Sequence, residues 1–253
     1  MALSLQDIFT PEMVIDTLDE REVSKRDIYL RAARAFARTS YQPVFVADFH
    51  SQEFLYISGN MQYLCGFSGE SFGSTGKFHY FNFIPEEEEA MLKETLVRAK
   101  ELFYSFPARE RADWTLSYYF HLNRNPGTRI IQHRITPLRL APDGRLWLAI
   151  CVISMSSRRE PGYVTMRRYG HQDYFSYSFK NHVWYYREGI SLTDMERDLL
   201  MLSSQGYTVK EIARKFNKSE DTIKSYKRQL FAKLGVRNIT EAVFNAINDD
   251  LFH

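Results

Sequence analysis

Between Trp114 and Leu122 apolar and polar residues alternate strictly: Trp114, Leu116, Tyr118, Phe120 and Leu122 fall on one side of an extended chain. Leu146, Leu148, Ile150 and Val152 repeat the pattern. Between them lie two turn signals, Asn125-Pro126-Gly127-Thr128 and Pro142-Asp143-Gly144-Arg145, bracketing a strand from about Arg129 to Leu140. Pro43 to Phe49 and Phe54 to Ser58 predict two earlier strands joined by a short polar turn. Elsewhere the period is helical. Residues 1–40 read as helix, with Ile28, Ala32, Ala35 and Phe36 as the inward stripe of Asp27 to Arg38, opposite Arg31, Arg34 and Arg38. Asn60 to Gly73 has the composition of short helical turns. Pro85 opens a helix with Glu86 to Glu89 in its first turn, and Met91, Leu92, Leu96, Ala99 and Phe103 are its expected buried face.

After Arg158-Arg159-Glu160-Pro161-Gly162, two aromatic strands are predicted at Tyr163–Met166 and Tyr174–Phe179, followed by Trp184-Tyr185-Tyr186. Disordered linkers are poor in aromatics. The segment 158–190 is therefore expected to be a hairpin that docks the C-terminal domain onto the N-terminal one or onto a second chain; a hairpin extending the preceding sheet is the alternative.

The last sixty-odd residues form four short helices. Thr193-Asp194-Met195-Glu196 and Thr208-Val209-Lys210-Glu211 are capping boxes; Ser219 caps the third helix and Thr240 the fourth. Only Asn217-Lys218 separates the second helix from the third, which requires a tight corner. In Glu220 to Leu234 the residues Ile223, Tyr226, Leu230 and Leu234 share a core face, and Asp221, Lys224, Ser225 and Arg228 share the opposite one. Such a face suits the major groove of DNA.

Charge sharpens this picture. The whole chain carries a net charge of only +2. Between Gly206 and Asn238, nine cations (Lys210, Arg214, Lys215, Lys218, Lys224, Lys227, Arg228, Lys233, Arg237) outnumber three acids (Glu211, Glu220, Asp221). A surplus of six on one small segment is what phosphate contact needs. Charge alone would equally describe a solvated helix; the caps, the short turn and the two-faced helix decide the matter.

These residues resemble the LuxR/FixJ/NarL-type helix-turn-helix. The matching positions run Leu192-Thr193-x-x-Glu196-Arg197-x-Leu199-Leu200-x-Leu202, then Gly206-x-Thr208-x-Lys210-Glu211-Ile212-Ala213. They continue through Ser219-x-x-Thr222-Ile223-Lys224-Ser225-Tyr226-x-x-x-Leu230-x-x-Lys233-Leu234-Gly235-Val236 to Glu241-Ala242-Val243. The resemblance implies that Lys224, Ser225 and Arg228 face base edges or nearby phosphates. Lys210, Thr222, Lys227 and Lys233 would hold the backbone, with Ser219 at the helix start. It also implies a dimer contact on the fourth helix through Ala242, Val243, Ala246 and Ile247, or simple closure of the core by that helix. Tyr226 departs from the family's usual histidine and Asn238 from its common serine.

The order of two strands, helices and three antiparallel strands resembles the PAS fold over residues 41–157, and Asn60-x-x-x-Leu64-x-Gly66-Phe67-Ser68-x-Glu70 resembles the segment after its second strand. The expected class is α+β: an N-terminal PAS-like antiparallel five-stranded sheet with helices, plus a C-terminal all-α four-helix helix-turn-helix domain. The segments are 1–40, 41–157, 158–190 and 191–253. By this resemblance the sensor takes a small molecule or transmits a partner's state, with Tyr63, Phe78, Trp114 and Tyr118 as candidate lining residues.

No cofactor is expected. A flavin photosensor needs its cysteine in an Asn-Cys-Arg-Phe type helix, and Cys65 stands elsewhere. Haem would need an axial ligand such as His79, and a lone histidine is more often a satisfied polar residue. His50, His79, His121, His133, His171 and His182 lack metal-site spacing. Cys65 and Cys151 sit in apolar surroundings as reduced thiols. No eighteen-residue apolar run and no basic, apolar leader is present, so a cytoplasmic protein is expected. Three functions compete. The first is a DNA-binding transcriptional regulator acting on duplex DNA as a homodimer, with RNA polymerase as a further partner. The second is a sigma-type promoter-recognition factor, which would need a helical polymerase-binding domain upstream. The third is an enzyme, for which nucleophile elbow, phosphate-binding glycine loop and zinc signature are all missing.

Overall fold

The computed structural model describes residues 15, 18, 20–61, 84–122, 130–156, 158–248 and 251. Tyr63, Cys65, Phe78, His79, most of the Asn60–Gly73 segment, the turn at 125–128 and nearly all of the first nineteen residues lie outside them. The chain divides into two compact units, Met1–Arg187 and Glu188–His253. Among the described residues no helix is long and apolar enough to cross a membrane.

The first unit contains α1 (Glu20–Ser24), α2 (Arg26–Thr39), β1 (Val44–Asp48), β2 (Glu53–Ile57), α3 (Glu86–Ser105), a 3-10 turn (Ala108–Asp113), β3 (Trp114–His121), β4 (Ile130–Leu140), β5 (Leu146–Met155), β6 (Val164–Arg168), β7 (Tyr174–Ser178) and β8 (Val183–Arg187). One sheet takes all eight described strands in the order β2-β1-β5-β4-β3-β6-β7-β8, each antiparallel to its neighbours. One row of its core face runs Phe45, Cys151, Ile135, Leu116, Met166, Phe175 across six strands. Period-two alternation puts these side chains on one side, and α3 lies over them with Leu92, Ala99 and Phe103 buried.

Three features correct the sequence reading. The sheet has eight strands, not five, because the 158–190 segment does not stand apart as a docking hairpin. Its first strand pairs with β3, Leu116 opposite Met166 and Tyr118 opposite Val164. Its aromatics complete the core under α3: the Trp184 indole N–H donates to the Arg98 carbonyl at 3.1 Å, and the Tyr177 hydroxyl to Glu94 Oε1 at 2.5 Å. The second correction concerns α2. Its buried face is Leu30, Ala33 and Ala37, while Ile28 is 61% and Phe36 47% exposed. Both stripes have helical spacing; the small alanines let the helix approach Val46 and Ile150 closely, and bulk misled the prediction. On α3, Glu88 is buried where a hydrophobe would be expected, because it accepts the His121 backbone N–H at 2.9 Å and bonds to that ring's Nδ1.

Beyond α3 the chain is fastened by Arg111, whose guanidinium donates to the carbonyls of Tyr104, Phe106 and Gly144 at 2.9, 3.0 and 2.9 Å. Gly144 sits at φ 82°, and a Cβ there would stand 2.7 Å from the Ala108 Cβ, so no other residue fits.

His133, on β4, is fully enclosed by the rings of Phe45 and Tyr118, at centroid distances of 5.2 and 4.7 Å. Burial pushes its imidazole down from 6.5 to about 3. The unfolded chain therefore binds a proton near pH 6.5 that the folded chain refuses until about pH 3. Stability from this site is complete above pH 6.5 and declines as pH falls through that window. Urea midpoints of the first unit at pH 7 and pH 5 should differ less in His133→Phe than in the wild type; equal differences would assign the acid sensitivity to other groups.

Candidate nucleic-acid interface

The second unit is all helical: α4 (Asp194–Ser204), α5 (Val209–Phe216), α6 (Glu220–Leu234) and α7 (Ile239–Asn248). Each helix start is built from its own sequence. In α4, Thr193 Oγ1 accepts the Glu196 N–H and the Thr193 N–H donates to Glu196 Oε2 at 2.8 Å; Thr208 and Glu211 do the same for α5. Ser219 Oγ accepts the Thr222 N–H at 3.1 Å. The fourth cap differs from the prediction. Asn238, not Thr240, accepts the Glu241 N–H at 2.9 Å, so the helix starts at Ile239. Asparagine and serine are both capping residues, which explains why Asn238 can stand at this site.

The corner between α5 and α6 depends on Asn217, which adopts the left-handed conformation at φ 51°. Asparagine tolerates this region better than other non-glycine residues. The Lys218 N–H then bonds back to the Ala213 carbonyl at 2.9 Å, closing α5. Leu199, Leu200, Ile212, Ile223 and Leu230 form a fully buried centre under this frame.

On α6 the two faces separate as predicted from spacing. Ile223 and Leu230 are buried, Tyr226 and Leu234 half-buried; Asp221, Lys224 and Arg228 are exposed and Ser225 half-buried. Lys224 Nζ donates to Asp221 Oδ1 at 3.0 Å, a bond that raises the ammonium above its usual range. Arg228 makes no ion pair or hydrogen bond among the described residues. Lys227 is half-buried, and burial draws its ammonium below the ordinary value. Lys210 is exposed on α5. The hydroxyls of Ser219 and Thr222 are 2.8 Å apart at the α6 N-terminus, so both are engaged in the cap.

Lys233 is placed differently from a free backbone clamp: its Nζ lies 2.6 Å from Glu196 Oε2. Burial raises the Glu196 carboxyl, but the bonds from Lys233 and Thr193 outweigh it and hold the group below the usual carboxylate range. Spacing could not reveal this strap, since its ends are 37 residues apart.

The fourth-helix candidates divide. Ala242 and Ala246 are 0% exposed inside this unit's own core and are unavailable to a second chain, whereas Ile247 is 62% exposed and Val243 half-buried. Of the proposed ligand-lining residues, Trp114 borders a cavity of about 90 Å³ beneath α3, together with Phe103, Tyr104, Leu116, Ile135 and Met166. Tyr118 does not border it. Its ring stacks on Phe120 at 5.1 Å and burial raises its phenol well above the ordinary value. Phe106 stacks on Trp114 at 3.9 Å with an interplanar angle of 3°, fixing the indole at the cavity wall.

Residues 190–246 match the family model of bacterial regulatory proteins, luxR family. The DNA-binding transcriptional activator DevR/DosR of Mycobacterium tuberculosis is 49% identical over 51 residues, which are 20% of this chain and 24% of that protein. The chain thus spans about a quarter of that relative's length. Over the whole chain, the crystal structure of the phage VqmA-DPO complex is similar at 17% identity and a TM-score of 0.37, covering 91% of each chain. A domain of a putative light and redox sensing histidine kinase from Haloarcula marismortui covers 51% of this chain and 99% of its own, at 15% identity and a TM-score of 0.35.

Proposed function

From a C-terminal unit that is a LuxR-family helix-turn-helix domain, we propose that this chain is a DNA-binding transcriptional regulator whose PAS-like N-terminal unit controls the reader. The observation that carries the proposal is the α6 face: Lys224 and Arg228 stand exposed on a helix whose back is locked into a core by Ile223 and Leu230. Lys224, Ser225 and Arg228 read base edges in the major groove. Lys210, Thr222, Lys227 and Lys233 grip phosphates flanking them, and the positive end of α6 at Ser219 adds a further anion contact. Lys233 reaches DNA by exchanging Glu196 for a phosphate.

Two copies bind a two-fold site with half-sites about 10 bp apart. The cavity under α3, walled by Trp114, takes a small apolar molecule that biases the reader. RNA polymerase is the partner through which DNA occupancy acts on transcription.

Selection of bound sequences from a random duplex pool should return one palindromic motif, and a pool that stays random would end the proposal. A salt titration separates the two classes of contact. Each phosphate neutralised contributes about 0.9 to the negative slope of log K against log salt. Lys210→Ala should therefore flatten the slope by roughly one per protomer while leaving sequence preference intact. An unchanged slope would remove Lys210 from the backbone grip.

A further inference from the structure

The end of the sheet nearest the second unit in sequence is unguarded. β8 closes the strand order, so its outer edge pairs with no strand among the described residues. Its sequence, Val183-Trp184-Tyr185-Tyr186-Arg187, is rich in strand-forming residues, lacks proline and lysine, and carries its one charge, Arg187, only at the end of the strand. Val183, Tyr185 and Tyr186 are 44, 37 and 60% exposed. The opposite edge is better covered: β2 begins with Glu53, and its Leu55 and Tyr56 pack with Leu30 of α2.

We infer that the free edge of β8 is where two copies of this chain pair, antiparallel about Tyr185. The inference rests on the proposed dimeric reading and says where the dimer is made. The strand is self-complementary about that centre. Antiparallel pairing sets Trp184 opposite Tyr186 of the partner subunit, twice, and Tyr185 opposite Tyr185 of the partner subunit. Aromatic cross-strand pairs of this kind stabilise a sheet. Trp184 and Tyr186 both lie on the core face, where they already meet Tyr177 and Phe175, so each new pair extends an existing aromatic layer. At the ends, Val183 meets the aliphatic stem of Arg187 of the partner subunit. The match is complementary in bulk.

The chain's geometry fits the reader's task. Glu188 lies three residues beyond Tyr185, so the two linkers leave the pair about 20 Å apart at roughly 3.3 Å per residue. Residues 188–193 separate β8 from α4 in each copy, and six residues reach at most about 20 Å. Half-sites about 34 Å apart are therefore within reach. Five residues of edge bury far less than the roughly 800 Å² per partner of a standard stable interface. The contact is weak in free protein and strengthens when both readers hold one duplex, through effective concentration.

The test uses the full chain carrying Cys65→Ser, which leaves buried Cys151 as the native thiol. Tyr185→Cys places two thiols face to face across the pair, within disulfide range. Mild oxidation should give a covalent dimer on a non-reducing gel, while Phe36→Cys on α2 should not. In sedimentation velocity, Tyr185→Lys should raise the dimer Kd at least tenfold with an unaltered melting temperature. Should that variant melt early, the cross-link decides alone. Cross-linking at Phe36 but not at Tyr185, or a chain that stays monomeric up to about 100 µM, overturns the inference. Lys224→Ala separates the two readings: it should lose DNA selectivity and keep the Tyr185→Cys cross-link. Loss of the cross-link alone faults the edge, and intact selectivity alone faults the α6 assignment.

Discussion

Lys224→Ala and Arg228→Ala should each abolish discrimination between the selected operator and random duplex, with the helices still folded. Each side chain leaves the exposed face of a helix whose opposite face is fully buried. Removing either costs no packing, so the second unit's melting curve should barely move. A well-formed bidentate contact to a base is worth about 1–3 kcal/mol. In a two-fold complex the loss occurs twice, so selectivity should fall by roughly a hundredfold or more, into the range of nonspecific binding. Arg228 should have the larger effect. It is already unpaired among the described residues, whereas Lys224 must first leave Asp221, 3.0 Å away. Asp221→Asn, which frees Lys224 for its base, should accordingly strengthen binding to the operator. Competition titrations with labelled operator measure all three, and wild-type selectivity in both alanine variants would remove this face from the reading.

Ala246→Glu should unfold the second unit outright. A residue at a mere dimer contact would tolerate a carboxylate with loss of pairing and an intact fold. Ala246 has no exposed surface and packs in the same cluster as Leu199, Leu200 and Ile212. Its methyl leaves no room for a longer side chain, and a charge buried there has no partner. Overpacking costs about 1–3 kcal/mol and an unpaired buried charge several more. A domain of sixty-odd residues has little beyond that in reserve. Far-UV circular dichroism should lose the helical signal of residues 194–248, and the first unit should keep its own transition. Ile247→Glu, half-exposed or more on the same helix, serves as the reference and should melt normally.

How much was legible in sequence depended on whether the determining contact was local. Thr193, Thr208 and Ser219 announce their helices because a cap reaches only three residues along the chain. The strands at β3, β4 and β5 are legible because strict alternation is the signature of one buried face. The failures have one physical cause. That β6 pairs with β3, and that α2 turns Leu30 rather than Ile28 inward, are choices among equally periodic alternatives, settled by partners far away in sequence. The Lys233–Glu196 strap is another such contact. Thr240 and Asn238 both satisfy the chemistry of a cap, and the folded helix uses the earlier one. On the candidate site, the face of α6 was legible because a fifteen-residue amphipathic helix separates its two sides by spacing alone. Which residues of α7 remain free was not, because alanine suits both a core and an interface.

Asn217 leaves the corner without slack. Its left-handed backbone turns the chain directly out of α5, and the Lys218 N–H closes that helix on the Ala213 carbonyl, so only Asn217 and the α6 capping residues lie between the two helices. On the proposed function, a signal that silences the protein would act by moving α5 and α6 together, or by changing their spacing from those of a second copy, rather than by bending the turn between them.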